Sequence, residues 1–436
     1  MSPCLDIRCT SVYIERMKSP LRAITIAVAL VMASGTLAAV TVPVASATTD
    51  FYTPPAEFDT SPGAIIKSRP TPIFLQIPAD PRPFPGQGTT VMYTSKLQDG
   101  TPAAVTGTLI EPFAPWNGNG PRPTIVMAPG TIGQGDQCAP SKLFGLPISL
   151  DPAKLSIGAN YELLFANFLL YQGYRILMTD YIGLGTPGMH TYVNRVEEGH
   201  AVLDGARAAL QFAKLPSDSP VGFWGYSQGG GATASAAEMA STYAPELNVK
   251  ATYSGAPPAN LSKVLTVADG TLAMGVIGYA INGLLARYPS TVPLIDEVLN
   301  PAGKQAIETL STSCVADTVL RYGFHHTSEW TTSGQSIAEA ALSYPAVQEA
   351  IDEQTIGRLK PTAPVLVDTG INDDLVPHGQ VIDMVDSWRA KGADVQVIND
   401  ATPPIFPGLV VNHGLPYLFS TLPAYKFLYD RFNAPS

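Results

Sequence analysis

The sequence predicts an α/β fold: a mostly parallel sheet covered by helices on both faces, interrupted after its sixth strand by a helical insertion. Three observations carry this reading. Short apolar runs of strand type alternate with segments of helical spacing between residues 123 and 255, and the alternation resumes from residue 365. Such alternation marks strands buried on both faces by crossover helices. Residues 258–360, lying between the two blocks, read almost entirely as helix or loop. Finally, the stretch 221–231 passes from an apolar strand into an alanine-rich helix through a turn of glycines around Ser227.

The elements follow in order. Residues 89–97 and 103–110 are β-rich runs joined around Asp99-Gly100, a hairpin signal. The strand 123–128 is continuous and apolar and ends in a glycine-containing loop, Pro129 to Cys138. Residues 161–172 place Leu163, Leu164, Phe168 and Leu169 at helical spacing, and 174–179 form the next strand. A helix over 196–212, the strand from Pro220, a helix ending near Tyr243 and the sixth strand at 250–254 complete the first block. Within the insertion, 271–287 is the most apolar piece, a helix either buried nearly all round or opening onto lipid. After it come a strand at 365–368, a helix over 381–391, a strand at 394–398 and a last amphipathic segment at 424–432.

Composition bounds the function. With 436 residues and 45% hydrophobic content the chain can bury a substantial core. Its formal net charge of -10 offers no basic surface for nucleic acid or anionic lipid. Met17 to Arg22, the apolar stretch 23–33 and Ala45-Ser46-Ala47 read as a secretory leader, residues 1–47, with Met17 an alternative start. The competing reading is an uncleaved anchor, since residues 23–49 carry no charge. Cleavage would remove Cys4 and Cys9, leaving Cys138 and Cys314, and an even pair in an exported chain suggests a disulfide.

Gly225, Ser227 and Gly229 form a GxSxG motif. With 38 glycines in the chain, chance alone gives on the order of 0.2 such matches, so the strand before it and the helix after it are what give it weight. In the nucleophile elbow of an α/β-hydrolase fold, a strained turn holds the serine above the sheet. The N–H of the following residue, here Gln228, and one from the loop after the third strand, here near Thr131, would hold an oxyanion. The bland alternative for that loop is an ordinary glycine-rich βα turn. The acid and base then follow in chain order. Asp373 opens a D-x-x-V-P pattern after the seventh strand and is preferred over Asp374, while His413 lies beyond the eighth strand. His378 is only five residues from Asp373, and it and the remaining histidines read as structural or surface groups. No spacing resembles a zinc site, and neither metal nor cofactor is expected.

These residues carry a resemblance. The stretches 136–141, 197–205, 215–219 and 243–248, with the elbow and the acid loop, are similar to the secretory lipase family, the lipase A-type α/β hydrolases. The resemblance implies Ser227, Asp373 and His413 as a triad, an oxyanion donor within 130–136, a Cys138–Cys314 disulfide, and a lid from the helices after Pro258. Members of the lipase A type carry a C-terminal flap beyond the histidine region. This chain ends at Ser436, so a flap-built acyl tunnel is not carried over. The expectation is a catalytic domain over 48–257 and 361–436 with a cap over 258–360. Its activity would be that of an exported serine ester hydrolase on lipid esters, acting at a lipid–water interface without an obligate protein partner. An acyltransferase using the same triad, or a non-catalytic binding protein on this fold, are the alternatives.

Overall fold

The computed structural model describes residues 50–71, 85–144, 148–151 and 156–434; the leader expected over 1–47 lies outside them. β1 (Ile65–Pro70), β2 (Gly86–Lys96) and β3 (Pro102–Pro112) form an antiparallel meander. The β2–β3 turn is built as the sequence dictates. Asp99 accepts the Thr101 N–H on its side chain, and Gly100 takes the left-handed φ of 87° that a side chain would resist. β4 (Thr124–Ala128) follows, then a small hairpin of β5 (Ile148–Asp151) and β6 (Ser156–Ala159), helix α1 (Leu163–Tyr171), and β7 (Arg175–Ile182). Helix α2 (Arg195–Phe212), β8 (Pro220–Tyr226), α3 (Gln228–Tyr243) and β9 (Asn248–Gly255) complete the first block.

The main sheet has nine strands, and its last two follow the insertion: β10 (Val365–Gly370) and β11 (Val395–Asp400), with α11 (His378–Ala390) between them and α12 (Val411–Asn433) last. The order is β1-β2-β3-β7-β4-β8-β9-β10-β11, and every pairing from β7 to β11 is parallel. β4 and β8 are buried almost throughout, which is why they read as continuous apolar runs rather than alternating ones. On one face α1 and α12 pack through Phe165, Leu169, Tyr417 and Phe427, and on the other α2 and α3 pack through their alanines.

Seven helices occupy the insertion: α4 (Leu261–Ala268), α5 (Val276–Arg287), α6 (Val292–Val298), α7 (Pro301–Leu310), α8 (Val315–Tyr322), α9 (Ile337–Ala341) and α10 (Pro345–Glu353). The apolar segment expected as a helix over 271–287 begins its helix only at Val276. Ile277, Tyr279 and Ile281 of α5 join one core with Val365 and Val367 of the sheet. Arg287 at its C-terminus pairs with buried Glu197 of α2.

The described residues contain one disulfide, Cys138–Cys314, with the two Cα atoms 5.4 Å apart. Around it the loop after β4 is paired to the insertion as a strand would be: Gln134 donates to Ser313 O at 2.9 Å and Val315 to Ile132 O at 2.8 Å. The cross-link closes a separation of 176 positions, which chain-entropy arithmetic values at about 5 kcal/mol as an upper figure. Replacing both cysteines by serine is therefore expected to lower Tm by several degrees. The check is a thermal melt of the variant beside a non-reducing peptide map of the native protein; labelling of both thiols without reductant would defeat the expectation.

Candidate active site

The site begins with backbone sterics. Ser227 joins β8 to α3 at φ 58°, ψ -121°, a conformation costly for any L-residue. The turn closes because its neighbours lack side chains. A Cβ at Gly225 would stand 2.2 Å from the Gly229 carbonyl oxygen, and one at Gly229 would stand 1.9 Å from the Ala128 oxygen of β4. The Ser227 N–H donates to Gly255 O at 2.9 Å, tying the turn to β9.

Three sequence-predicted residues meet here. Ser227 Oγ lies 2.9 Å from His413 Nε2, and His413 Nδ1 lies 2.8 Å from Asp373 Oδ2. Asp373 Oδ1 accepts the N–H groups of Leu375 and Val376, so the carboxylate's orientation is fixed from both oxygens. Asp374 faces elsewhere: it accepts from the Gly408, Val410 and His413 N–H groups. It thus holds the loop from which α12 starts and sets where the imidazole sits. Burial of the His413 ring opposes its charge, but the carboxylates of Asp373, Asp374 and Asp368 together more than offset this, and the imidazole is held above its ordinary value. His378 opens α11 with its ring against Thr369, while His325 and His326 are exposed.

Gln228, the first residue of α3, lies at the positive end of that helix. In the loop after β4, the N–H groups of Gly130, Gln134 and Gly135 are engaged, by Glu162 and by Ser313. Between Gly130 and Gln134 lie the N–H groups of Thr131, Ile132 and Gly133. Thr131 is held at its hydroxyl by Tyr192 and at its carbonyl by Tyr161.

Two buried carboxyls that the sequence reading did not single out stand behind these donors. Glu162 accepts from the Gly130 N–H at 2.9 Å and from Tyr417 of α12, whose hydroxyl also accepts from Trp224. Glu198 accepts from the Gln228 side chain at 2.8 Å, and the same amide reaches His190 Nε2 at 2.9 Å. His190 Nδ1 faces the Ile182 carbonyl and so donates, which leaves Nε2 as the acceptor. Burial pushes Glu162 up to about 7 and Glu198 up to about 8, and pushes the His190 imidazole down to about 4. All three are therefore largely neutral near pH 6, and none of the three sets a full negative charge behind the donors. The available signal was a lone Glu in an otherwise uncharged helical run at 161–172.

A family model described as secretory lipase matches residues 151–435. The chain belongs to the secretory lipase family. Among individual members, it is 29% identical to a probable inactive lipase of Mycobacterium tuberculosis, over 80% of this chain and 76% of that protein. It is 27% identical to a secreted triacylglycerol lipase of Malassezia globosa, over 87% and 80%. Among solved structures, Candida antarctica lipase A in its closed state superposes with a TM-score of 0.73 at 24% identity, covering 88% of this chain and 86% of that one. A cell wall degrading esterase of Xanthomonas oryzae gives 0.69 at 20% identity, over 85% and 99%. These two likenesses show the fold alone; the chemistry rests on the residues above.

Proposed function

We propose that the protein is a secreted serine ester hydrolase that cleaves lipid esters through an acyl-enzyme. Ser227 Oγ attacks the ester carbonyl carbon as its proton passes to His413 Nε2, and Asp373 holds the imidazole and balances its charge. The tetrahedral oxyanion is received by the N–H groups of Gln228 and Thr131, each worth about 3 kcal/mol to such an intermediate. Its collapse expels the alcohol, which takes the proton from His413. Water, deprotonated by the same imidazole, then releases the fatty acid.

The observation that carries the lipid reading is a pocket that starts at Ser227 and Gln228 and continues between the insertion helices. Its walls include Leu261 and Val264 of α4, Val276, Ala280 and Leu284 of α5, and Ile351 of α10. An acyl chain fits such a lining and a sugar or peptide does not. On this reading residues 258–360 are the cap, and the helices they contribute are the acyl-binding wall. Steady-state kinetics on esters of graded acyl length test it: kcat/KM should rise with chain length beyond acetate. A preference for acetyl esters would remove the lipid assignment while leaving the serine hydrolase intact.

The pH profile is expected to be bell-shaped. His413 must be neutral to accept the serine proton, so kcat/KM falls on acidification through a value above 6.5, tenfold per unit. Ionisation of Glu162 and Glu198 above about 7 and about 8 places negative charge behind the donors and sets the alkaline limb. Activity that stays flat down to about pH 5 would remove His413 as the base.

A further inference from the structure

The segment that carries His413 has an unusual surface. From Ala401 to Tyr425 the chain contains no Asp, Glu, Lys or Arg, although much of it faces solvent. Phe406 is 70% exposed in the loop before α12, and Phe419 and Leu422 are 57% and 62% exposed along that helix. Helix α1 lies beside it, fixed by the stacking of Phe165 on Tyr417 at 3.7 Å and the edge contact of Phe168 with Tyr425. The outer side of α1 continues the pattern: Leu164 is 60% exposed, Tyr161 is 42% exposed, and the sole charged residue between 161 and 172, Glu162, is buried.

We propose that this ridge, formed by the 401–410 loop and the outer faces of α12 and α1, is the surface on which the protein settles on an uncharged lipid surface. The inference rests on the lipid ester reading above and adds to it which face meets the lipid. Three features point to that occupant. The ridge is continuous with the site, since His413 lies in the first turn of α12 and Tyr161 donates to the Thr131 carbonyl. The outside of the cap is charged by contrast, since α10 carries Glu349, Asp352 and Glu353 there. The ridge offers no charge for a headgroup, so its attraction is apolar burial, and a net charge of -10 would repel anionic lipid. Among the described residues no helix is long and apolar enough to cross a membrane.

The test uses phosphatidylcholine vesicles for partition by co-flotation and a water-soluble short-chain ester for intrinsic activity. The Phe419→Asp/Leu422→Asp variant is expected to lose at least about ten-fold in vesicle partition while kcat/KM on the soluble ester changes by less than about two-fold. Phe406→Ser, on a separate element, should move partition in the same direction and guards against a folding defect in the helix variant. Leu320→Asp, at a residue 76% exposed on α8 of the cap, should change neither quantity. Partition of the unaltered protein should not weaken with added salt, and phosphatidylglycerol in the vesicles should not increase it. The proposal is overturned if partition survives the ridge substitutions, if Leu320→Asp abolishes it instead, or if binding requires anionic lipid. It is also overturned if the ridge substitutions split a native dimer and leave partition unchanged, which would make the ridge an interface between copies of this chain. Absence of any ester hydrolysis would sink the enzymatic reading separately, because partition is read without turnover.

Discussion

Ser227→Ala is expected to lower kcat on any ester by a factor on the order of 10⁴ to 10⁶ while leaving the fold in place. The nucleophile is the one atom for which the site has no substitute: His413 Nε2 faces Oγ at 2.9 Å. What remains in the variant is binding and the two proposed oxyanion donors, which would accelerate the attack of water only weakly. Stability should barely change. Alanine bears the same cost as serine at φ 58°, and the backbone bond from residue 227 to Gly255 O is kept. The comparison is therefore kcat on a soluble ester, labelling by a fluorophosphonate, and a thermal melt, all on one preparation. A pure variant that keeps more than about one per cent of native turnover would place the nucleophile elsewhere. The experiment has particular force in this family, because a relative at 29% identity is named a probable inactive lipase.

Much of this arrangement can be read from the sequence because steric demands leave marks there. Gly225 and Gly229 are legible since a carbonyl oxygen occupies the space of each missing Cβ, and only glycine satisfies that. The parallel strands are legible as apolar runs because helices cover both sides of them. The start of α12 is not. The sequence marks an amphipathic segment over 424–432, yet the helix runs from Val411 to Asn433 through Pro416 and Pro423. Each proline removes one helical donor. The stripe of His413, Pro416, Tyr417, Ser420, Ala424, Phe427 and Leu428 buried against the sheet outweighs that loss. His413 thus lies beyond the last strand, as expected, and in the first turn of a helix that the sequence does not show to begin there.

Other features escape the sequence because they depend on distant partners. The edge strand β1 is not among the strands read from the sequence, since its pairing with β2 is what makes it a strand. Glu162 and Glu198 precede Ser227, whereas the search for an acid runs downstream of it. Their positions behind the proposed oxyanion donors follow only once β4, α1 and α2 are brought together at the elbow. Asp374 shows the same limit at shorter range. Nothing in the pair Asp373-Asp374 tells which carboxylate faces the imidazole ring and which holds the backbone beneath it.

His413→Ala should be nearly as damaging as the serine substitution, and His378→Ala should be mild. Both histidines lie downstream of Asp373, so a comparison between them isolates position from residue type. His413 is buried between Asp373 and Ser227, whereas the partner of the His378 ring is the Thr369 hydroxyl, at 3.2 Å. Removing the His413 ring leaves Ser227 without a base and Asp373 without a donor on Oδ2, and kcat should fall by about 10⁴ or more. Removing the His378 ring deletes one long hydrogen bond at a helix start, a change expected to cost no more than about 1 kcal/mol of stability and less than about three-fold in kcat. The decisive arm is the double variant Ser227→Ala/His413→Ala. Residues that act as one unit lose their contribution once, so the double variant should be no slower than the worse single variant within about three-fold. If the two losses multiply instead, Ser227 and His413 act independently and the proton does not pass between them.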